Sequence, residues 1–72
     1  MKKINKIKIK INGKLCKIKD NITLSTYIKT LRVPINKVAI ELNNEIVDKN
    51  YLTKIKLKNE DRIEIVHFIG GG

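Results

Sequence analysis

The chain has no tryptophan, and among its 72 residues there are only one cysteine, one histidine, one proline and two arginines. A lone cysteine, Cys16, excludes an internal disulfide and offers no zinc cluster. The lone histidine, His67, has no second metal ligand or base near it in sequence. Cys16 and His67 could act as nucleophile and base only by meeting across most of the chain. No Gly-rich phosphate loop and no paired catalytic carboxylates are legible, so no catalytic residue and no metal ligand is assigned. An enzyme in its own right is the least expected class. No apolar run approaches the roughly 18 residues of a membrane-spanning helix. Lys2 and Lys3 lead into an alternating segment rather than an apolar one, so no secretory leader is expected, and the cytosol is the expected location. A chain this short buries only about 60% of its unfolded surface, which allows one domain, one thin core and no enzyme-sized cavity.

Acidic residues are also scarce at one end. Residues 1–19 hold eight lysines and no acid, whereas residues 20–72 hold eight Lys or Arg against seven acids. The net charge of +9 is therefore concentrated in the N-terminal quarter. One reading is binding to nucleic acid or to an acidic partner. The other is compositional: Lys, Ile and Asn make up half of the chain, as an AT-rich genome would dictate. The scarcity of arginine, the better reader of phosphates and bases, and the scattering of Tyr27, Tyr51 and Phe68 weigh against nucleic acid.

What is present is patterned. Residues 4–11 alternate from Ile7 onward and predict a strand. Asn12-Gly13 predicts a two-residue hairpin turn, because both tolerate positive φ. A return strand over Lys14 to Lys19 then sets Ile9 opposite Cys16 and Ile7 opposite Ile18. Ile7, Ile9, Ile11, Cys16 and Ile18 share the inner face, with Cys16 as a small buried hydrophobe. Lys8, Lys10 and Lys17 line the outer face. After a turn at Asp20-Asn21, Thr23 is a good N-cap. Leu24, Tyr27, Ile28 and Leu31 form one helical stripe, and the helix ends near Arg32, ahead of Pro34. Val38 to Leu42 predicts a third strand, with Ala39 and Glu41 outward. Asn43-Asn44 predicts a turn, and Glu45 to Val47 a short fourth strand. Asp48 to Lys58 reads as irregular with one helical turn, anchored by Tyr51, Leu52, Ile55 and Leu57. Asn59-Glu60-Asp61 turns into the last strand, where Ile63 and Ile65 share one face and Glu64, Val66 and Phe68 the other. Hairpin, helix and three strands make an α+β arrangement, a small mixed sheet of about five strands with one helix across one face. The first and last strands are expected side by side in the middle.

The last strand-like stretch, Glu64 to Ile69, runs into Gly70, Gly71 and Gly72. Three glycines have nothing to pack and lose the most entropy on ordering. Residues 69–72 are therefore expected to be a flexible tail on a single domain spanning 1–72. The Gly72 carboxylate could stand about 10 Å clear of the body, on an arm thin enough for a narrow channel. Val66 and Phe68, with Glu64, Ala39 and Glu41 around them, are expected to form a docking face beside that tail. His67 is expected to lie against the body.

Three stretches carry a resemblance: Ile11-Asn12-Gly13, the segment from Ala39 to Val47, and Asp61-Arg62-Ile63-Glu64-Ile65-Val66-His67-Phe68-Ile69-Gly70-Gly71-Gly72. Over almost its full length the chain resembles the ThiS family, the sulfur carriers of thiamine biosynthesis, with the ubiquitin-like β-grasp fold. The resemblance implies that an E1-like adenylyltransferase of the ThiF type, using ATP and Mg²⁺, adenylates the Gly72 carboxylate. A sulfur donor such as a cysteine desulfurase then converts it to a thiocarboxylate, which delivers sulfur to a thiazole synthase of the ThiG type. No cofactor is expected on this chain itself. The small subunit of molybdopterin synthase shares the fold and the Gly-Gly end, but usually approaches it through a proline rather than His67-Phe68-Ile69. The chain departs from the family at Asn59-Glu60-Asp61, where Asp-Gly-Asp is usual, and at Leu52, where a tryptophan is expected. Glu60 would be strained if it took positive φ.

Overall fold

The computed structural model describes residues 5–68. Strands β1 (Lys6–Ile11) and β2 (Lys14–Lys19) form the expected hairpin. Asn12 and Gly13 both take positive φ, 50° and 83°, which matches the turn to the right-handed twist of its strands. The register sets Ile7 against Ile18 and Ile9 against Cys16. Helix α1 (Leu24–Leu31) starts where Thr23 accepts a hydrogen bond from the Thr26 amide at 3.2 Å. It stops because Arg32 adopts the left-handed conformation (φ 57°), two residues before Pro34 could act. A 3₁₀ turn (Ile35–Lys37) leads into β3 (Val38–Leu42). Asn43 and Asn44, again both at positive φ, turn the chain into β4 (Glu45–Ile46). A 3₁₀ helix (Lys49–Lys54) precedes β5 (Arg62–His67).

The five strands make one mixed sheet in the order β2-β1-β5-β3-β4. The last strand is central, as expected: parallel to β1 and antiparallel to β3. Helix α1 covers one face. Ile9, Leu24, Val38, Ile40 and Ile63 are fully buried between the two layers, with Tyr27, Ile28, Leu52 and Leu57 nearly so. Each such aliphatic side chain contributes about 1.5–3 kcal/mol when taken out of water. The Tyr27 hydroxyl points to the Cys16 sulfur at 3.9 Å. Burial, reinforced by that sulfur, pushes the Tyr27 hydroxyl up from 10.0 to about 12. Cys16 is half-buried and packs against the core.

The central strand is held at its ends by asparagines. Strand β1 pairs with β5 only through Lys10–Arg62 and Ile11–Ile63. Past that point Asn12 takes over: its amide donates to the Ile63 carbonyl at 2.8 Å, and its side-chain oxygen accepts from the Ile65 amide at 2.8 Å. On the other flank, Asn43 exchanges bonds with Arg62, donating its amide to the Arg62 carbonyl and accepting the Arg62 amide on its side chain. Ahead of the strand, Asn59 accepts from the Lys8 amide and the Glu60 amide donates to the Lys8 carbonyl. Buried backbone polar groups need such partners, and here short polar side chains supply them where the neighbouring strands stop.

Several expectations need correction. Tyr51 does not anchor the 48–58 segment; it is 53% exposed, with Lys54 Nζ 5.7 Å from its ring centroid. Leu52 and Leu57 hold that segment, helped by the half-buried Ile55. The segment is more regular than read, because Asp48 caps a six-residue 3₁₀ helix through the Asn50 amide. His67 does not lie against the body. It is on the helix side of β5 but exposed, because β1 ends opposite Ile63 and leaves β5 with only β3 beside it. The fourth strand ends at Ile46 and the fifth at His67. Glu60 does take positive φ, 73°.

Candidate functional site

The outer face of the sheet, opposite α1, carries the candidate site. Alternation along β5 sends Arg62, Glu64 and Val66 outward, with Phe68 following. The antiparallel register places Ala39 beside Val66 and Glu41 beside Glu64. All five expected docking residues, Glu64, Val66, Phe68, Ala39 and Glu41, therefore share one surface. Val66 is 47% exposed and Phe68 60%. The Phe68 amide donates to the Lys37 carbonyl at 2.9 Å, which fixes the backbone at the last described residue.

Two neighbours escaped the sequence reading. Ile46 pairs with Glu41 across β3 and β4, so it falls on the same face, and it is 75% exposed. Its signal was the Asn43-Asn44 turn, whose two-residue geometry fixes that pairing. Lys49 brings its ammonium 5.5 Å from the Phe68 ring centroid, a cation–π contact that narrows the freedom of the ring. No local pattern foretold it, since the 3₁₀ helix had to be placed first.

The resulting surface is an apolar strip, Phe68–Val66–Ala39, followed by the Glu64–Glu41 pair and then Ile46. Like charges directly opposite each other on a sheet are destabilising by a few tenths of a kcal/mol. The Glu pair therefore works against the fold. The expected flexible tail 69–72, with Gly70, Gly71 and Gly72, lies outside the described residues; in sequence it follows Phe68. Among the described residues, no three His, Cys, Asp or Glu side chains gather as a metal site. No helix among them is long and apolar enough to cross a membrane.

Comparison with known proteins gives a consistent picture. In fold, the chain superposes on the crystal structure of the thiamine biosynthesis protein ThiS from Geobacter metallireducens with a TM-score of 0.78 and 26% identity, covering 92% of this chain and all of that one. In sequence it is 37% identical over 65 residues to the sulfur carrier protein ThiS of Bacillus subtilis, covering 89% of this chain and 98% of that protein. It is also 38% identical over 66 residues to a thiazole synthase of Paramagnetospirillum magneticum. That match takes in 92% of this chain but only 20% of the synthase, so the chain spans about a fifth of that relative's length. The sequence profile of the ThiS family matches residues 9–72, and the chain belongs to that family.

Proposed function

We infer that this chain is the sulfur carrier for thiazole formation in thiamine biosynthesis, with Gly72 as the loaded residue. The observation that carries the reading is a solvent-exposed apolar strip on the outer face, at Val66 and Phe68, followed in sequence by Ile69 and Gly-Gly-Gly. A carboxylate is a poor electrophile until one of its oxygens becomes part of a leaving group. In this reading a Gly72 carboxylate oxygen attacks the α-phosphorus of ATP on a ThiF-type adenylyltransferase, and pyrophosphate departs. The terminal sulfur of a donor persulfide, such as that of a cysteine desulfurase, then attacks the acyl-adenylate and AMP departs. A thiol of the partner proteins reduces the resulting acyl disulfide, forming a disulfide with the donor sulfur and leaving the thiocarboxylate on Gly72. ATP and Mg²⁺ belong to the partner; this chain supplies reach, slenderness and a docking surface. A cytosolic location goes with this reading.

Val66 and Phe68 suit an interface anchor, since buried aromatic contacts dominate binding energy. Glycines at 70–72 suit a channel in which any Cβ would obstruct the approach of backbone to nucleotide. The match to part of a thiazole synthase supports a ThiG-type acceptor, because in that relative a segment like this one belongs to the synthase chain itself. The direct functional test is complementation of a strain lacking its own carrier. The full chain should restore thiazole formation, and a variant ending at Gly70 should not. Equal rescue by both would overturn the assignment of Gly72.

A further inference from the structure

The opposite end of the outer face is cationic. Lys6, Lys8 and Lys10 alternate outward along β1, and the hairpin register places Lys19, Lys17 and Leu15 beside them. Arg62 joins the same face next to Lys10. The first row is thus Leu15–Lys10–Arg62, and the next two are Lys17–Lys8 and Lys19–Lys6. Leu15 is 66% exposed amid these cations. A groove of about 310 Å³ opens beside it, bordered by Lys8, Lys10, Glu60 and Arg62. Arg62 precedes Phe68 by six residues of extended chain, so this patch begins about 20 Å from Phe68. The outer face is therefore bipolar: an apolar strip and two glutamates near the tail, six cations around a leucine at the far end.

We propose that this cationic half is a second docking surface, and that its occupant is an acidic, partly apolar surface of the adenylyltransferase that takes the tail. The proposal rests on the carrier reading above. A standard interface covers about 800 Å² per partner, so a protein seated on Val66 and Phe68 extends over the near rows of this patch. Charges of opposite sign at the two ends of one face fix the register of docking and steer the encounter. Nucleic acid fits the patch less well. Five of its six cations are lysines and none of its members is aromatic, so bases have nothing to stack on. The exposed Leu15 matches an apolar side chain, which a phosphate backbone does not offer.

The test uses the full chain and the adenylyltransferase of the same organism, with ATP–pyrophosphate exchange as the readout. Two doubly reversed variants carry the same change in net charge: Lys8→Glu/Lys17→Glu in the patch and Lys29→Glu/Lys54→Glu away from it. Thermal melts establish that each is folded. The patch variant should raise KM for the carrier about tenfold at low ionic strength, with kcat little changed, and high salt should erase most of the difference. The remote pair should leave KM near that of the unmodified chain. Equal effects from both pairs would reduce the matter to net charge and overturn the proposal, as would no effect from either. Micromolar binding of a labelled single-stranded RNA, lost in the patch variant while KM stays constant, would overturn it in favour of nucleic acid. An unmodified chain that supports no exchange at all removes the carrier reading and this proposal with it, a result distinct from normal exchange that ignores Lys8 and Lys17.

Discussion

Asn43 donates its side-chain amide to the Asp61 carboxylate at 3.0 Å, tying the β3–β4 turn to the turn that feeds the central strand. Asp61 is the buried charged residue of the described structure, 6% exposed, and its second oxygen accepts from the Lys58 amide at 2.8 Å. Two turns far apart in sequence are thus joined through one carboxylate, at the point where β5 enters the sheet.

Removing that carboxylate breaks two hydrogen bonds to a charged acceptor, but both donor residues, Asn43 and Lys58, are exposed, so water replaces part of what is lost. Asp61→Ala is expected to lower the unfolding free energy by about 1–3 kcal/mol, as urea titration would measure. Asn43→Ala should cost less, because Asp61 keeps the Lys58 amide. The double variant should fall short of the sum, since the two residues share one bond.

Much of this arrangement was legible in the sequence. The alternation of Ile7 to Ile11 and the Asn12-Gly13 turn fixed the hairpin register, because a two-residue turn leaves no freedom to slip. The Leu24, Tyr27, Ile28 and Leu31 stripe placed the helix, and the period of two along β5 placed Val66 and Phe68 outward. The asparagine bonds to β5 were not legible. They depend on where β1 and β3 stop beside a strand some fifty or twenty residues away in the chain, which no local pattern encodes. Tyr51 and His67 were misplaced for the same reason: an aromatic or a strand-end residue is covered only if a neighbouring element reaches it. Leu15 and Ile46 went unremarked because each is a single apolar residue on an outward face with no repeat behind it; for Ile46 only the Asn43-Asn44 turn carried a signal.

Glu60 holds the left-handed conformation at φ 73°, a region that costs a residue with a Cβ roughly 1 kcal/mol or more. Glycine avoids that strain but gains freedom in the unfolded chain. Glu60→Gly is expected to stabilise the fold by about 0.5–1 kcal/mol, seen as a higher denaturation midpoint. Glu60→Val, β-branched and intolerant of positive φ, should move it the other way.

Tyr27 gives the fold an alkaline limit. Its folded value is raised to about 12 by burial and by the Cys16 sulfur, so the folded chain holds this proton after the unfolded chain has released it. The contribution is complete below about pH 10 and is lost as pH rises from about 10 to about 12. Tyr27→Phe should flatten that part of the stability profile. In a Tyr51→Phe background, the ultraviolet absorbance of tyrosinate should report Tyr27 alone, and ionisation below pH 10 would contradict the burial argument.

Glu64 and Glu41 face each other on the surface proposed for docking. Glu64→Gln should raise stability by a few tenths of a kcal/mol by relieving like-charge repulsion. It should also raise KM in adenylate formation. Phe68→Ala should raise that KM about tenfold or more while lowering stability by less than about 1 kcal/mol, since it gives up only an exposed cation–π contact with Lys49. Stability losses as large as the binding losses would argue that the strip is structural.

The claim on which the carrier reading rests is that Gly72 is chemically loaded. Incubating the full chain with the adenylyltransferase, ATP, Mg²⁺ and a sulfur donor, and then weighing its C-terminal peptide by mass spectrometry, tests it most directly. The expected result is replacement of one oxygen by sulfur on the peptide ending at Gly72, dependent on ATP and absent from a chain ending at Gly70. An unchanged C-terminal mass, with an adenylyltransferase shown to be active on another carrier, would contradict it.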